Sequence, residues 1–160
     1  MWTTWHFPQQ LAQLNTDQVS YTDGQGQLDT PQDITTTTSV RGIAAAGGGL
    51  LTREANSIVF QDYRFDTGVS TVVGIEIELR VTRLSRIQDR TIQLYTGTAI
   101  GANLADLTAG DVHVYASPAV PGVDYAHPNF GCVIDLGPHQ SYPSNNTIVI
   151  RSVGIRLDLV

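Results

Sequence analysis

Glu76 and Glu78 are the side chains best spaced for acid–base chemistry, two positions apart in Gly74-Ile75-Glu76-Ile77-Glu78-Leu79. On one strand face, residues i and i+2 stand about 6.5 to 7 Å apart, near the lower end of the separation that inverting glycosidases use. Such enzymes usually recruit the pair from facing elements, so that a sugar ring lies between them. Two neighbours on one wet strand face read instead as solvated carboxylates or partners of nearby arginines.

The other reactive types are scattered. His6, His113, His127 and His139 share neither the i,i+4 helical nor the i,i+2 strand spacing that aims two imidazoles at one metal. Acidic partners such as Asp124 or Asp111 would have to come from afar. Asp106, Asp111, Asp124, Asn129, Asn145 and Asn146 could bind calcium at loop ends, but without DxDxDG spacing they read as turn formers. No GxSxG elbow is present, and Cys132 falls inside an apolar strand pattern, where a buried thiol is the default. Gly47-Gly48-Gly49 has no following Lys, so it reads as a joint and not as a phosphate loop. Asn145-Asn146-Thr147 matches a glycosylation sequon, read here as chance. No catalytic residue, metal or cofactor is assigned, and the chain is expected not to be an enzyme.

The elements that would position any site are strands. Ile75, Ile77, Leu79 and Val81 alternate with Glu76, Glu78, Arg80 and Thr82, one face dry and one wet. Further strands are predicted over 57–65, 91–96, 111–115, 130–136 and 147–159, the last with Val153, Ile155, Leu157 and Leu159 inward. Turns rich in Gly, Pro, Asn and Asp separate them, and no amphipathic run of helical period is convincing. The pattern predicts an all-β antiparallel sandwich or jelly roll over residues 51–160, large enough to bury its own core.

Composition supports that class. Of 160 residues only 15% are charged, while 18 Thr and 11 Gln enlarge the uncharged polar share. All nine basic residues are Arg and the net charge is −6, so nucleic acid and anionic membrane are poor partners. Arg80, Arg83, Arg86 and Arg90 would be splayed by strand alternation. With one cysteine, no internal disulfide can form. Neither a membrane span nor an export signal is recognisable, and folding in a reducing cytosol is expected.

Residues 1–50 differ in kind, being dominated by Gln, Thr, Asp and Gly. They are expected to form an extended N-terminal arm ending in a Gly-rich joint, with a turn at Asp23-Gly24-Gln25-Gly26. Trp2, Trp5 and Phe7 have no reason to be on a free polar tail, so a docking arm is expected, with Thr35, Thr36, Thr37 and Thr38 adding a strand to a neighbour.

Several ordered runs within residues 57–160 carry a resemblance. They are Val72-Val73-Gly74-Ile75-Glu76-Ile77-Glu78-Leu79, Asp89-Arg90-Thr91-Ile92-Gln93-Leu94-Tyr95, Gly101-Ala102-Asn103-Leu104-Ala105, Asn129-Phe130-Gly131, Tyr142-Pro143-Ser144 and Ile150-Arg151-Ser152-Val153-Gly154-Ile155-Arg156-Leu157. Together they resemble β-sandwich virion structural proteins of tailed bacteriophages. The resemblance implies a non-catalytic module of the particle, foremost a capsid decoration or cement protein and alternatively a tail, neck or baseplate adaptor. Implied partners are the major capsid protein or tail and neck proteins, and further copies of the chain in a homotrimer. A carbohydrate-binding adhesion module is the rival class, favoured if Tyr95, Tyr115, Tyr125 and Tyr142 line one loop face.

Overall fold

The computed structural model describes residues 1–13, 19–22, 40–44, 57–83, 87–107, 110–138 and 146–160, with side-chain surroundings for 1–10, 58–81, 88–107, 110–136 and 152–160. Among them are ten strands and no helix. These are β1 (Gln10–Gln13), β2 (Val19–Thr22), β3 (Val40–Ala44), β4 (Ser57–Gln61), β5 (Val72–Arg83), β6 (Ile87–Thr96), β7 (Ala99–Ile100), β8 (Val112–Pro118), β9 (Phe130–Pro138) and β10 (Asn146–Leu159). They form a β-sandwich of two antiparallel sheets, ordered β1-β4-β9-β6-β7 and β2-β3-β10-β5-β8.

Alternation decides what each strand buries. Ile75, Ile77, Leu79 and Val81 of β5 and Val153, Ile155 and Leu157 of β10 form the inner face of the second sheet. They meet Ile58 and Phe60 of β4, Ile92 and Leu94 of β6, and Phe130, Cys132, Ile134 and Leu136 of β9. Each such side chain contributes about 1.5 to 3 kcal/mol on burial. Gly131 allows β9 to lie against β4, because a Cβ there would overlap the Phe60 carbonyl oxygen and stand 2.8 Å from its carbon.

Two interruptions of the period have structural consequences. Ile92 and Leu94 face inward, so strict alternation would carry Arg90 inside; a bulge between Asp89 and Thr91 buries Asp89 instead. There the Tyr115 hydroxyl from the opposite sheet donates to Asp89 Oδ2. The strand predicted over 57–65 stops at Gln61 because Asp62 and Arg64 take left-handed φ values of 61° and 55°. Those turns leave Tyr63 buried between them, its hydroxyl donating to the Val153 carbonyl at 3.0 Å.

The start of the chain is part of this framework. β3 pairs with β10 only over Asn146–Ile150, so the upper edge of β10 lacks a strand from the body of the sheet. Residues 1–6 supply one. Leu159 N donates to Met1 O at 2.8 Å, Thr3 N to Leu157 O at 2.8 Å, and His6 and Ile155 exchange bonds of 2.8 and 3.0 Å. Gln9 N then reaches Gln61 O at 3.1 Å, and β1 pairs with β4 in the other sheet. Within the stretch expected as an arm, residues 1–13, β2 and β3 are therefore laid along the sheets. The turn at 23–26, the Thr35–Thr38 run and the triple glycine lie outside the described residues, as do Arg86, His139, Tyr142 and Asn145.

Candidate functional site

Three elements converge on the outer face of the second sheet. Cross-strand register sets Arg156 of β10 beside Glu76 of β5, and Gly154 beside Glu78. Being one residue out of step with the buried set, all four point away from the core. Arg156 Nε and Nη2 each lie 2.6 Å from Glu76 Oε2. The guanidinium carbon sits 4.8 Å from the Trp2 ring centre and 4.6 Å from that of Trp5, in range of the attraction between a cation and an indole face. Gly154 keeps the path open, since a Cβ would come within 3.2 Å of Trp5 and 3.4 Å of Phe7. One arginine thus joins the start of the chain to the middle of the sheet.

His6 leaves this face and closes the seam between the sheets. Its ring stacks on Phe65 with centroids 4.3 Å apart, and Nδ1 lies 3.0 Å from the Tyr63 carbonyl oxygen. Trp5, His6, Phe7 and Gln9 with Tyr63 and Arg64 border a groove of about 410 Å³. Beneath it, Tyr63 Oη and Cys132 Sγ are 3.7 Å apart. Burial pushes the Cys132 thiol up to about 12 and lifts the Tyr63 phenol well above its usual range.

Further along β5, Arg80 Nε donates to Glu78 Oε1 at 2.7 Å, and this bond and the carboxylate charge raise the guanidinium pKa. Next to them runs β8, the last strand of the sheet. Its outward Val112 and Val114 are 53% and 43% exposed. The face is therefore apolar on both flanks, indoles at one side and valines at the other, with arginine–carboxylate pairs between.

Glu76 and Glu78 do share the wet face of one strand, and each is held by its own arginine. The three described histidines are far apart in role: His6 at the seam, His113 3.0 Å from Asp106 Oδ2, and His127 accepting from Asn129 N at 3.0 Å. Among the described residues, no group of three or more His, Cys, Asp or Glu could hold a metal ion. Asp66 and Asp124 bond the backbone N–H two residues on, as turn formers do. Tyr115 and Tyr125 do not present a sugar-binding face: both are buried, Tyr115 on Asp89 and Tyr125 with its hydroxyl on the Val120 backbone. Tyr95 is half-buried.

Of the residues expected to bind a partner, Trp2, Trp5 and Phe7 are seated on this chain's own β10. Sequence reasoning singled out neither Arg156 nor Gly154 as their seat. A signal was available, because a glycine inside the alternating run Val153-Gly154-Ile155 marks a place where another group comes close.

No family model and no curated protein matches the chain. Among solved structures, it is similar to the N-terminal cellulose-binding domain of a β-1,4-glucanase C from Cellulomonas fimi, at 15% identity and a TM-score of 0.43, over 91% of this chain and 92% of that one.

Proposed function

We propose that this chain is a non-enzymatic structural subunit of a tailed-bacteriophage virion, a capsid decoration protein that staples neighbours through its N-terminal segment. The sequence pattern of residues 57–160 supports the particle, and the strand addition of residues 1–6 to β10 supports the staple. Every copy carries both the donor strand and its acceptor edge. Transfer of residues 1–6 to the β10 of an adjacent copy would rebuild the same hydrogen bonds and the same Trp2–Arg156–Trp5 stack, and so link subunits at little cost in contacts.

The observation that carries this reading is the Arg156 seat, which grips an otherwise polar tail through two indoles. Removing residues 1–40 would test the fold as much as the staple, since β1 and β2 would go with it. The cleaner test replaces Trp2 and Trp5 with Ala together and measures incorporation into particles made without the wild-type chain. A folded variant that no longer attaches is expected; normal incorporation would refute stapling. Counting copies on purified particles tests location, with a shell protein present on the order of hundreds of times. A count of about a dozen or fewer would move the protein to the tail, neck or baseplate.

A further inference from the structure

We infer that the outer edge of β8 is a pairing edge for a second copy of this chain, joined antiparallel about a two-fold axis through Val114. The argument is one of backbone parity and does not depend on the virion reading. In an antiparallel sheet a residue points its N–H and C=O at one neighbour, and the next residue points at the other. Ile155 exchanges both of its bonds with His6, so Gly154 and Arg156 are the residues that bond to β5. Their partners Glu78 and Glu76 therefore point toward β10, while Ile75, Ile77 and Leu79 point toward β8. Val81, of the same parity, donates to Asp111 O at 2.8 Å on that side.

Carried across the β5–β8 register, His113, Tyr115 and Ser117 bond to β5. Val112, Val114 and Ala116 turn their N–H and C=O groups to the outer edge, and they are also the residues whose side chains are exposed. Among the described residues β8 pairs with β5 alone. Edge strands are commonly blunted by charge, brevity or bulges. This one runs seven residues, Val112–Pro118, with no Asp, Glu or Arg, and Pro118 marks its end.

The edge is self-complementary to a second copy. About a two-fold at Val114, the two Val114 residues pair with each other, and Val112 of each copy pairs with Ala116 of the other. The outer face of the joint is then a continuous strip of Val and Ala. The net charge of −6 opposes contact between copies over most of the surface, and β8 contributes nothing to that repulsion. His113 and Tyr115, its titratable side chains, are both of the other parity, His113 against Tyr115 and Asp106, and Tyr115 on Asp89.

Sedimentation of the full chain from micromolar to submillimolar concentration tests the inference. A dimer is expected, with its dissociation constant raised at least about tenfold by Val114→Pro, which removes an outward N–H and leaves the β5 bonds intact, and by Val114→Lys. Thermal midpoints like that of the wild type would show that both variants fold. In oxidising buffer, Val114→Cys should crosslink to itself, because bonded antiparallel partners stand about 5.5 Å apart at Cα. Val112→Cys should not, its own copy lying about 13 Å away. A wild-type monomer over the whole range, a trimer, or crosslinking at Val112 in place of Val114 would overturn the pairing.

Discussion

Arg156 and Glu76 face one another across the β10–β5 pair, and the guanidinium that grips the carboxylate is the one on which Trp2 and Trp5 stack. The order of the chain's first residues therefore depends on a charge in its last strand.

Arg156→Ala should loosen residues 1–6 first. The loss of a charged hydrogen bond and two ring contacts costs about 1 to 3 kcal/mol. Hydrogen exchange at the Thr3 and His6 amides should accelerate well before that at Ile77. Arg156→Lys keeps the charge without the flat fork and should fall between. Unchanged protection at Thr3 and His6 in the alanine variant would mean that the backbone bonds alone hold the segment.

Gly131→Ala should destabilise the sandwich severely. The added Cβ meets backbone atoms of Phe60, which cannot rotate aside, so β4 and β9 must part at the centre of the first sheet. A loss above about 3 kcal/mol, measured by denaturant unfolding, is expected. A soluble variant with a near-native midpoint would show that the strands can shift at small cost.

Cys132 and Tyr63 set an alkaline limit. Both pKa values are raised in the folded chain, so the folded state holds its protons over a range in which the unfolded state releases them. By linkage their contribution is complete below the unfolded thiol pKa of about 8.5 and is lost progressively as pH rises toward 12. Denaturant midpoints should fall over that interval and rise again, relative to wild type, in Cys132→Ala compared at high pH. At pH 8 the native thiol should resist alkylation that the unfolded chain accepts at once.

Asn103 acts as a fragment of strand. Its Oδ1 accepts from Ile92 N at 3.0 Å and Ala105 N at 3.1 Å, and its Nδ2 donates to Arg90 O at 2.9 Å. Asn103→Ala leaves those β6 groups unmatched and should cost about 1 to 3 kcal/mol. Asn103→Asp keeps the acceptors and loses the donor, so it should cost less. Equal stability of all three chains would show that water replaces the amide.

The β5 pattern was legible because one face is wet: Ile75, Ile77 and Leu79 went inside, and Glu76 and Glu78 went out to arginines. The strand over 147–159 was legible for the same reason. The place of Trp2 and Trp5 was not, since their hold on β10 comes from backbone bonds and a cation at the other end of the sequence, neither of which imposes a period. The condition set for a sugar-binding face is not met at Tyr115 and Tyr125, because their polar ends have buried partners, Asp89 and the Val120 backbone, which a strand pattern does not announce. The bulge that turns Asp89 inward is a single extra residue that alternation does not announce.

The shared edge of β10 also sets an order of events. Residues 1–6 leave the ribosome well before the strand they pair with is made, so their hydrogen bonds stay unmade until β10 has emerged. Closing this edge must await a contact between Trp2 and Asp158, the kind of non-local step that makes folding slow. In that interval two indoles, a Phe and an imidazole are displayed on a nascent chain, where a neighbouring chain at the same stage can capture them.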